Sequence, residues 1–317
     1  MRRMMACRIH RFGPPDVIVC EDVAIPSPAA SEVLVRVVAA GVGPWDALIR
    51  SGRSAVSQPL PLTLGSDLSG VVEAVGDGVD EFAPGDEVFG VTNARFIGAY
   101  AQYAIAEAGR IARKPRSVEH VAAAAVPVVA VTAAQALFDR GGLTRGQRVL
   151  VHAGGGSVGS FAVQMAHEAG AHVIATASAR DLEYVRRLGA DEVVDYHAEV
   201  FDRIVAPVDL VVDAVGGETQ RRSLGIVRRG GVLVSVVSEP DAGSASQSGI
   251  RAEFMLVDVT STSLARVAAA IEKGTFSWRV GTVLPLERAS EAHEMLDGLR
   301  PRASGKIVLE TAGTQAR

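Results

Sequence analysis

Short apolar runs separated by turn residues fill the first third of the chain. Runs rich in β-branched residues lie at positions 17–20, 33–38, 68–76 and 86–91, and turn signals such as Gly13-Pro14-Pro15 stand between them. Runs of this length and composition, closely punctuated by Gly and Pro, are typical of strands. The pattern predicts a compact β-rich domain, for which a barrel is one arrangement.

The pattern changes near residue 120. An Ala- and Val-rich segment at 120–140 contains Pro127 and Gln135, and its apolar part is shorter than a membrane span, so we expect a buried helix. Helical stretches such as 180–188 then alternate with apolar runs. The runs predict strands at 148–152, 172–176, 192–195, 209–213, 232–237 and, last, near 255–259. This alternation predicts an α/β fold with a doubly wound parallel sheet.

The end of the chain alternates in the same way. We expect helices at 264–273 and 289–299 and strands at 280–286 and 306–309. The serine-rich run at 244–249 predicts a short flexible loop.

A glycine-rich turn follows the strand predicted at 148–152. Gly154, Gly156 and Gly159 have the G-x-G-x-x-G spacing, and residues 161–166 have helical character. In such a turn the first glycine bends the chain, the second lets the backbone approach a pyrophosphate, and the third lets helix and strand pack closely. The helix N-terminus adds N–H groups and partial positive charge. Because the required strand and helix flank the motif, it indicates a dinucleotide site.

Composition and charge exclude several classes of protein. The 317 residues are 48% hydrophobic and 21% charged, and a net charge of -4 argues against a nucleic-acid partner. Two cysteines, Cys7 and Cys20, make no disulfide framework, which suits a reducing compartment. The first residues lack the apolar core of a signal peptide. We therefore expect a soluble, cytoplasmic protein that binds a small molecule and neither nucleic acid nor membrane.

Ordered motifs along nearly the whole chain resemble those of one enzyme superfamily. They include Phe12-Gly13-Pro14-Pro15, Gly65-Ser66-Asp67-Leu68-Ser69-Gly70, Pro84-Gly85-Asp86-Glu87-Val88, Ala153 with the glycine turn, and Gly305-Lys306-Ile307-Val308-Leu309. With them the sequence resembles the medium-chain dehydrogenase/reductase superfamily, and most of all its zinc-free quinone oxidoreductase (zeta-crystallin-like) branch. The resemblance implies a Rossmann dinucleotide-binding domain at residues 125–260 and a β-rich, GroES-like catalytic domain at residues 1–124 and 261–317. It also implies a substrate cleft between the two.

The end of the second strand of the parallel sheet bears on the choice of nicotinamide cofactor. Enzymes that use NAD commonly place an acidic side chain there, which holds the ribose 2′-hydroxyl. In this chain the strand is followed by Ala177-Ser178-Ala179-Arg180, with no Asp or Glu at its tip. A hydroxyl and a guanidinium can bind a 2′-phosphate, so Ser178 and Arg180 are candidates for that group and NADPH is the expected cofactor. The alternative makes Ser178 a helix N-cap and Arg180 a surface residue.

The resemblance implies further contacts with the cofactor. Tyr196 matches a tyrosine near the adenosine phosphate in similar reductases, with a plain strand-end tyrosine as the alternative. Thr132 and Lys306 are candidates for the nicotinamide side or the phosphates, although a helix-buried Thr and a surface Lys fit as well. The expected cofactor-binding residues are Thr132, Ala153, Gly154, Gly155, Gly156, Ser157, Val158, Gly159, Ser178, Arg180, Tyr196, Val215, Val236 and Lys306. Relatives commonly dimerise through edge strands of their cofactor sheets, and the apolar last strand near 255–259 permits this, so we expect a homodimer, with a monomer whose edge strand is covered as the alternative.

The zinc ligands of related alcohol dehydrogenases are missing at the matching positions. Where those enzymes carry Cys and His, this chain has Gly43-Pro44-Trp45-Asp46 and Gly65-Ser66-Asp67, so we expect no metal. Alcohol oxidation needs a Lewis acid. The carbonyl of a quinone or an enone already withdraws electrons and needs only hydrogen-bond donors.

The catalytic acid is harder to place. Similar reductases often read Asn-Pro-x-Asp-x-Tyr in the first loop of the site, whereas this chain has Gly43 and Leu48 in place of Asn and Tyr. Only Asp46 keeps its position. Asp46 is the candidate catalytic residue, with a loop-capping carboxylate as the alternative and solvent as another proton source. The expected lining of an apolar substrate pocket is Trp45, Leu48, Phe254 and Met255.

Three functions follow as hypotheses. The first is an NADPH-dependent, zinc-independent reductase that transfers hydride to a quinone or an α,β-unsaturated carbonyl compound. The second is an enoyl-thioester reductase, for which the tyrosine acid is missing. The third is an NADPH-binding sensor or structural protein with little turnover.

Overall fold

The structure is a computed structural model that describes residues 2–56 and 58–311. The chain divides into two compact units. Unit 1 holds the residues up to Val128, Val259–Thr275 and the residues from Arg279 onward. Unit 2 holds Val129–Asp258 and Phe276–Trp278. The chain therefore leaves unit 1 after Val128 for most of unit 2, returns at Val259, and contributes three more residues to unit 2 at Phe276–Trp278.

Unit 1 is built on two sheets. Its strands are β1 (Arg3–Ile9), β2 (Ile18–Ala24), β3 (Glu32–Val42), β4 (Leu62–Thr63), β5 (Asp67–Val75), β6 (Glu87–Val91), β7 (Tyr103–Glu107), β8 (Ile111–Arg113), β15 (Val280–Pro285) and β16 (Lys306–Glu310). One sheet has the order β2-β1-β4, and the other has the order β15-β16-β3-β5-β6-β8 with β7 paired to β3. The alternating Val33, Val35 and Val37 of β3 are buried in the core, together with Leu68 and Tyr100.

Unit 2 is one parallel sheet with the order β11-β10-β9-β12-β13-β14. Its strands are β9 (Arg148–Val151), β10 (His172–Ala177), β11 (Glu192–Asp195), β12 (Val208–Asp213), β13 (Val227–Ser235) and β14 (Arg251–Phe254). The strand order reverses at β9, because β10 lies on one side of it and β12 on the other. In such sheets the crevice at the carboxyl ends of the strands beside the reversal is where ligands bind.

Ten helices complete the described part of the chain. They are α1 (Pro44–Arg50), α2 (His120–Ala124), α3 (Pro127–Ala134), α4 (Ser157–Glu168), α5 (Leu182–Arg187), α6 (Phe201–Ile204), α7 (Gly217–Ser223), α8 (Ala242–Ser248), α9 (Ser261–Glu272) and α10 (Ala289–Leu296). The predicted fold class, a doubly wound parallel Rossmann sheet with a β-rich domain, is confirmed.

Three local predictions are wrong. The last strand of unit 2 is β14 rather than 255–259, and Met255 follows it with its N–H donated to the Ser235 carbonyl at 2.8 Å. The loop predicted at 244–249 belongs to α8, because the Asp241 side chain caps that helix by accepting the Ser244 N–H at 2.7 Å. The single helix predicted at 120–140 is interrupted, with Pro127 at the start of α3 and π-helical turns at Gln135–Arg140.

The two cysteines are paired. Cys7 on β1 stands directly opposite Cys20 on β2, and a disulfide joins them. Two cysteines make no disulfide framework, as expected, but the structure joins both of them in one bridge, which removes the support that the cysteine count gave to a reducing compartment.

No helix within residues 2–56 and 58–311 has both the length and the apolar character needed to cross a membrane.

Candidate functional site

The glycine turn connects β9 to α4 and is held by backbone hydrogen bonds. The Gly154 N–H donates to the Thr176 carbonyl at 2.8 Å, and the Gly156 N–H donates to the Ala153 carbonyl at 2.8 Å. Ala153 has a φ of 55°, a left-handed conformation that non-glycine residues rarely adopt. Gly156 precedes α4, so Ser157, Val158 and Gly159 form the first turn of the helix, where N–H groups lack partners within the helix.

The three motif glycines have different surroundings. A Cβ on Gly154 would lie 2.9 Å from the Ala175 Cβ, and one on Gly159 would lie 2.1 Å from the Ala153 carbonyl oxygen. A Cβ on Gly156 would meet only Ala153, at 3.1 Å from its oxygen and 3.8 Å from its Cβ, and Gly156 is exposed. The first and third glycines therefore permit packing, whereas the second leaves open space. This space beside a helix N-terminus fits the pyrophosphate of a dinucleotide.

The other predicted cofactor residues of unit 2 lie along the same sheet edge. Ser178 follows β10, Tyr196 follows β11, Val215 follows β12 and Val236 follows β13. The carboxyl ends of parallel strands share one edge, so the structure brings these residues together with the glycine turn. The Tyr196 N–H donates to the Ala177 carbonyl at 3.2 Å, its ring packs against that of His197, and the residue is 53% exposed, so a ligand at this edge can reach it.

Asp213, which the sequence analysis missed, organises this edge. The buried carboxylate accepts the N–H groups of Val215 at 3.0 Å and Gly216 at 2.9 Å, and also the Gln220 amide and the Ser235 hydroxyl, each at 3.0 Å. It thereby fixes the turn that carries Val215. The signal in the sequence was an acidic residue at the end of a buried apolar strand.

His152 lies in the core and supports the glycine turn. Its Nε2 lies 2.8 Å from the Ser223 hydroxyl and its Nδ1 lies 3.1 Å from the Thr176 hydroxyl, which also accepts the Ala153 N–H at 3.2 Å. Burial lowers the pKa of His152 to about 4, so the ring is neutral at physiological pH. It acts as a hydrogen-bonded core residue that holds Ala153 in place.

The end of β10 differs from the sequence-based expectation. The Ser178 hydroxyl donates to the Asp181 Oδ2 at 3.0 Å, and the Arg180 Nε lies 3.6 Å from the same oxygen. Asp181 is buried, whereas the Arg180 side chain is 74% exposed. The strand tip itself holds no acidic residue, as expected, but the Asp181 carboxylate one residue beyond Arg180 lies beside Ser178.

The remaining predicted residues lie in different places. Thr132 is buried in α3 of unit 2. Phe254 ends β14 and Met255 is buried after it, both in unit 2, whereas Trp45 and Leu48 lie on α1 of unit 1. Lys306 belongs to unit 1, on β16.

Lys306 forms a buried ion pair. Its Nζ lies 3.0 Å from the Asp67 Oδ2 and 4.2 Å from the centre of the Trp45 ring, and both charged side chains are at most 4% exposed. Burial raises the pKa of Asp67, while the Lys306 ammonium opposes that rise. Lys306 is therefore a core residue and not the surface lysine considered as an alternative.

Trp45 folds back over Gly43. A Cβ on Gly43 would lie 2.3 Å from the Trp45 ring, and the indole N–H donates to the Ser66 hydroxyl at 3.0 Å. The Asn found here in similar reductases would displace this ring.

These residues do not fit a zinc ion. The segments that match the dehydrogenase ligands carry no Cys or His, and each of their two carboxylates is engaged: Asp46 by Gly43 and Tyr100, and Asp67 by Lys306. Within the described residues there is no group of three or more His, Cys, Asp or Glu side chains placed to hold a metal.

Asp46, the candidate catalytic residue, caps α1. Its Oδ2 accepts the Gly43 N–H at 2.8 Å and the Tyr100 hydroxyl at 3.1 Å, and the residue is fully buried. Burial raises the pKa of Asp46 to about 7, although the bond from Gly43 and the charge of Lys306 oppose the rise. A carboxyl in this setting exists in both protonation states near neutral pH.

Replacing Asp46 with Asn should change how stability depends on pH. Between about pH 4 and pH 7 the unfolded carboxyl ionises while the folded one keeps its proton, so the wild type loses free energy of unfolding as the pH rises. Asn does not titrate, so the stability of Asp46→Asn relative to wild type should rise by about 4 kcal/mol across this window. Urea unfolding followed by Trp45 fluorescence in a Trp278→Phe background measures it. Asp86→Asn is the control of opposite sign, because Arg113 lowers the pKa of Asp86. A difference independent of pH would contradict the assignment.

An open glycine turn on a doubly wound sheet, joined to a separate β-rich unit, places the chain in the class of two-domain nicotinamide-dependent oxidoreductases. The sequence is 33% identical to human quinone oxidoreductase, over 96% of this chain and 97% of that one. The chain therefore belongs to the medium-chain dehydrogenase/reductase superfamily, in its quinone oxidoreductase branch, and the predicted resemblance is confirmed.

Family and structural matches agree with this assignment. Residues 29–116 match the alcohol dehydrogenase GroES-like domain, and residues 188–309 match the family described as zinc-binding dehydrogenase. The quinone oxidoreductase of Coxiella burnetii superposes with a TM-score of 0.91 at 32% identity, covering 98% of this chain and 100% of that one. The Escherichia coli quinone oxidoreductase, solved with NADPH, superposes with a TM-score of 0.86 at 27% identity, covering 96% and 99%.

Proposed function

We propose that this protein reduces quinones or α,β-unsaturated carbonyl compounds with a nicotinamide cofactor and without a metal ion. The observation that carries the proposal is the occupation of the zinc-ligand positions by Trp45, Ser66 and an Asp67 already paired with Lys306. A substrate whose own carbonyl withdraws electrons does not need a Lewis acid. The name of the human relative, a quinone oxidoreductase, supports the same substrate class.

The two units contribute different parts of this chemistry. In unit 2 the glycine turn and α4 bind the pyrophosphate, while Tyr196, Val215 and Val236 contact the rest of the dinucleotide. The bound nicotinamide supplies the hydride. In unit 1 Trp45 and Leu48 provide apolar surface for a flat ring. Phe254 and Met255 are the proposed apolar residues of unit 2.

We assign the proton of the product to solvent. The contacts of Asp46 support its capping role, since its Oδ2 is taken by Gly43 and Tyr100 and its side chain has no exposed surface. The Asn and Tyr of similar reductases are absent, so the chain offers no second acid in this loop.

The cofactor itself is of the nicotinamide type, and the sequence favours NADPH through Ser178 and Arg180. The Escherichia coli relative solved with NADPH supports that choice. The Asp181 carboxylate lies beside both of these side chains.

A substrate panel tests the proposed function. Purified protein is mixed with NADH or NADPH and with quinones, enones or enoyl thioesters, with and without a strong zinc chelator, and loss of the reduced nicotinamide is followed by absorbance. We expect turnover with quinones or enones that survives the chelator. Activity that needs added zinc, or that is confined to thioesters, would contradict the proposal, and nucleotide binding without any turnover would indicate a sensor.

A further inference from the structure

We propose that Gln164 is a positioning residue that fastens the segment Phe276–Trp278 to helix α4 and thereby couples dinucleotide binding to the strand that carries Lys306. This segment, which we call the strap, belongs to unit 2, although Thr275 before it and Arg279 after it belong to unit 1. The inference rests on the proposed function in one respect, because it assumes that a nicotinamide dinucleotide binds at the glycine turn.

The Gln164 side chain holds the strap with both polar groups of its amide. Its Oε1 accepts the Ser277 N–H at 2.8 Å, and its Nε2 donates to the Ser277 carbonyl at 2.9 Å and to the Ser160 carbonyl at 2.8 Å. Gln164 is 6% exposed, so these bonds are shielded from water. The strap lies outside every helix and strand, between α9 and β15. The amide therefore gives the Ser277 backbone the two partners that a neighbouring strand would otherwise provide.

Aromatic rings hold the strap on either side of Ser277. The centre of the Phe161 ring, buried on α4, lies 5.9 Å from that of Phe276 at an interplanar angle of 76° and 5.8 Å from that of Trp278 at 28°. These are the edge-to-face and stacked arrangements that aromatic pairs prefer. Phe161 and Gln164 are three residues apart and so share one face of α4. All three residues of the strap are therefore attached to the helix that begins at the glycine turn.

One end of this arrangement reaches the site assigned to the pyrophosphate. The Ser160 N–H donates to the Gly156 carbonyl at 2.9 Å, and the Ser160 carbonyl accepts the Gln164 amide. A pyrophosphate bound to the first turn of α4 holds the same end of the helix. Because the ligand and the strap both need α4 in one position, each should bind α4 more tightly when the other is in place.

The other end leads to the buried ion pair of unit 1. Arg279 follows Trp278 directly, and its carbonyl accepts the Lys306 N–H at 2.9 Å. The Lys306 Nζ in turn lies 3.0 Å from the Asp67 Oδ2. A Cβ on Gly305 would lie 2.6 Å from the same Arg279 oxygen, so the two backbones are in close contact. A strap that is held on α4 therefore also holds the backbone partner of Lys306.

A second glutamine provides a matched control. The Gln135 Oε1 accepts the Asp258 N–H at 3.1 Å, and its Nε2 donates to the Asp258 carbonyl at 2.7 Å. Asp258 is the residue after which the chain passes from unit 2 to Val259 of unit 1. The same pair of bonds thus holds another crossing, but Gln135 lies in the π-helical turns after α3 and not on α4. Its removal should leave the nucleotide-binding helix unaffected.

Hydrogen exchange with and without nucleotide, in the absence of any electron acceptor, tests the proposal. The backbone amides of Ser277, Lys306 and the glycine turn are followed in the wild type, in Gln164→Met and in Gln135→Met, with NADH and NADPH each used as the probe. Met is similar to Gln in length and volume but makes neither of the two bonds. Dissociation constants of both nucleotides are measured on the same proteins by titration calorimetry.

We expect saturating nucleotide to slow exchange at Ser277 and Lys306 about tenfold in the wild type and in Gln135→Met, a coupling of ordinary size. In Gln164→Met the glycine turn should still be protected, whereas the effect at Lys306 should disappear. The same variant should bind nucleotide about tenfold more weakly, because coupling between two sites is reciprocal. A merely structural role of Gln164 would lower the stability of unit 2 and leave the effect of nucleotide on Lys306 intact.

Two outcomes would overturn the proposal: protection of Lys306 that persists in Gln164→Met, and protection that is lost to the same extent in Gln135→Met. If Gln164→Met does not fold, Trp278→Leu replaces it. That variant removes the stack on Phe161 while Gln164 stays, so it should also reduce the protection of Lys306, and full protection there would overturn the proposal.

The same measurements separate this proposal from the proposed function. Protection of the glycine turn without any effect at Lys306 in the wild type would refute the coupling alone. Full coupling in a protein that reduces no quinone or enone would refute the proposed function alone. Failure to bind either nucleotide would refute both.

Discussion

Replacing Lys306 with Met should destabilise unit 1 by about 3–5 kcal/mol, the cost of leaving one partner of a buried ion pair uncompensated. Asp67 would then be a fully buried carboxylate whose nearest cation, 3.0 Å away in the wild type, is gone. Such a loss is a large part of the roughly 5–15 kcal/mol that holds a typical domain folded. Burial already raises the pKa of Asp67, so the penalty should shrink in acid, where the folded variant can bind a proton at this carboxyl.

The two tryptophans allow this effect to be assigned to one unit. Trp45 lies in unit 1 and Trp278 in unit 2, so a Trp278→Phe background leaves Trp45 fluorescence as the reporter of unit 1 during urea unfolding. Lys306→Met with Asp67→Asn should recover much of the loss, because both charges are removed together. Arg187→Met breaks the exposed pair with Glu183 and should cost less than about 1 kcal/mol. A similar small cost for Lys306→Met would refute the assigned importance of the pair.

Gly159→Ala should lose both stability and nucleotide binding, whereas Gly156→Ala should lose nucleotide binding alone. A Cβ on Gly159 meets backbone atoms, the Ala153 oxygen at 2.1 Å and the Gly154 Cα at 2.9 Å, so α4 must move away from the turn. We expect a loss of stability of about 1–3 kcal/mol or more, as for an overpacked core, together with loss of nucleotide binding.

Gly156→Ala should keep the fold and lose the ligand. Gly156 has φ of -80° and ψ of 173°, which any residue adopts, and its Cβ needs only a small shift of the Ala153 oxygen. The new methyl group enters the space assigned to the pyrophosphate, so dinucleotide affinity should fall on the order of a hundredfold, through loss of charged hydrogen bonds to the backbone. Thermal unfolding of both variants measures the change in stability, and nucleotide titration measures the change in affinity. Unchanged affinity in Gly156→Ala would show that the open space is not the phosphate site.

The sequence predicted the fold well where a pattern is local. The apolar runs of unit 2 and the glycine spacing identified β9 to β13 and the start of α4, since strand period and turn chemistry act over a few residues. The wrong predictions, the strand at 255–259 and the loop at 244–249, came from the same reliance on short stretches of sequence. The four apolar residues at 255–259 predicted a strand there, but the strand is the more polar Arg251–Phe254, which lies at the sheet edge and needs no continuous apolar run. The run at 244–249 is helical because Asp241 caps it.

The candidate site was predicted in outline but not in its contacts. The glycine turn and the residues after each strand follow from the order of the elements. By contrast, the partners of Asp213 include Gln220 and Ser235, and Asp181 lies beside Gly155, which is distant from it in the sequence. Lys306 was a candidate for the cofactor, with a surface lysine as the alternative, because nothing in its neighbourhood indicated that β16 would bring it to Asp67. Pairings of this kind depend on sheet register, which one sequence does not reveal.

The pairing of β16 with β3 has a consequence for the order of synthesis. All six strands of unit 2 are complete before β15 and β16 are made, whereas β3, near the start of the chain, waits for residues 306–310 to cover its edge. Asp67 also waits for Lys306 throughout this interval. On the ribosome unit 2 can therefore acquire its sheet early, while unit 1 stays open until translation is nearly finished, with a carboxylate and an apolar strand edge exposed to chaperones.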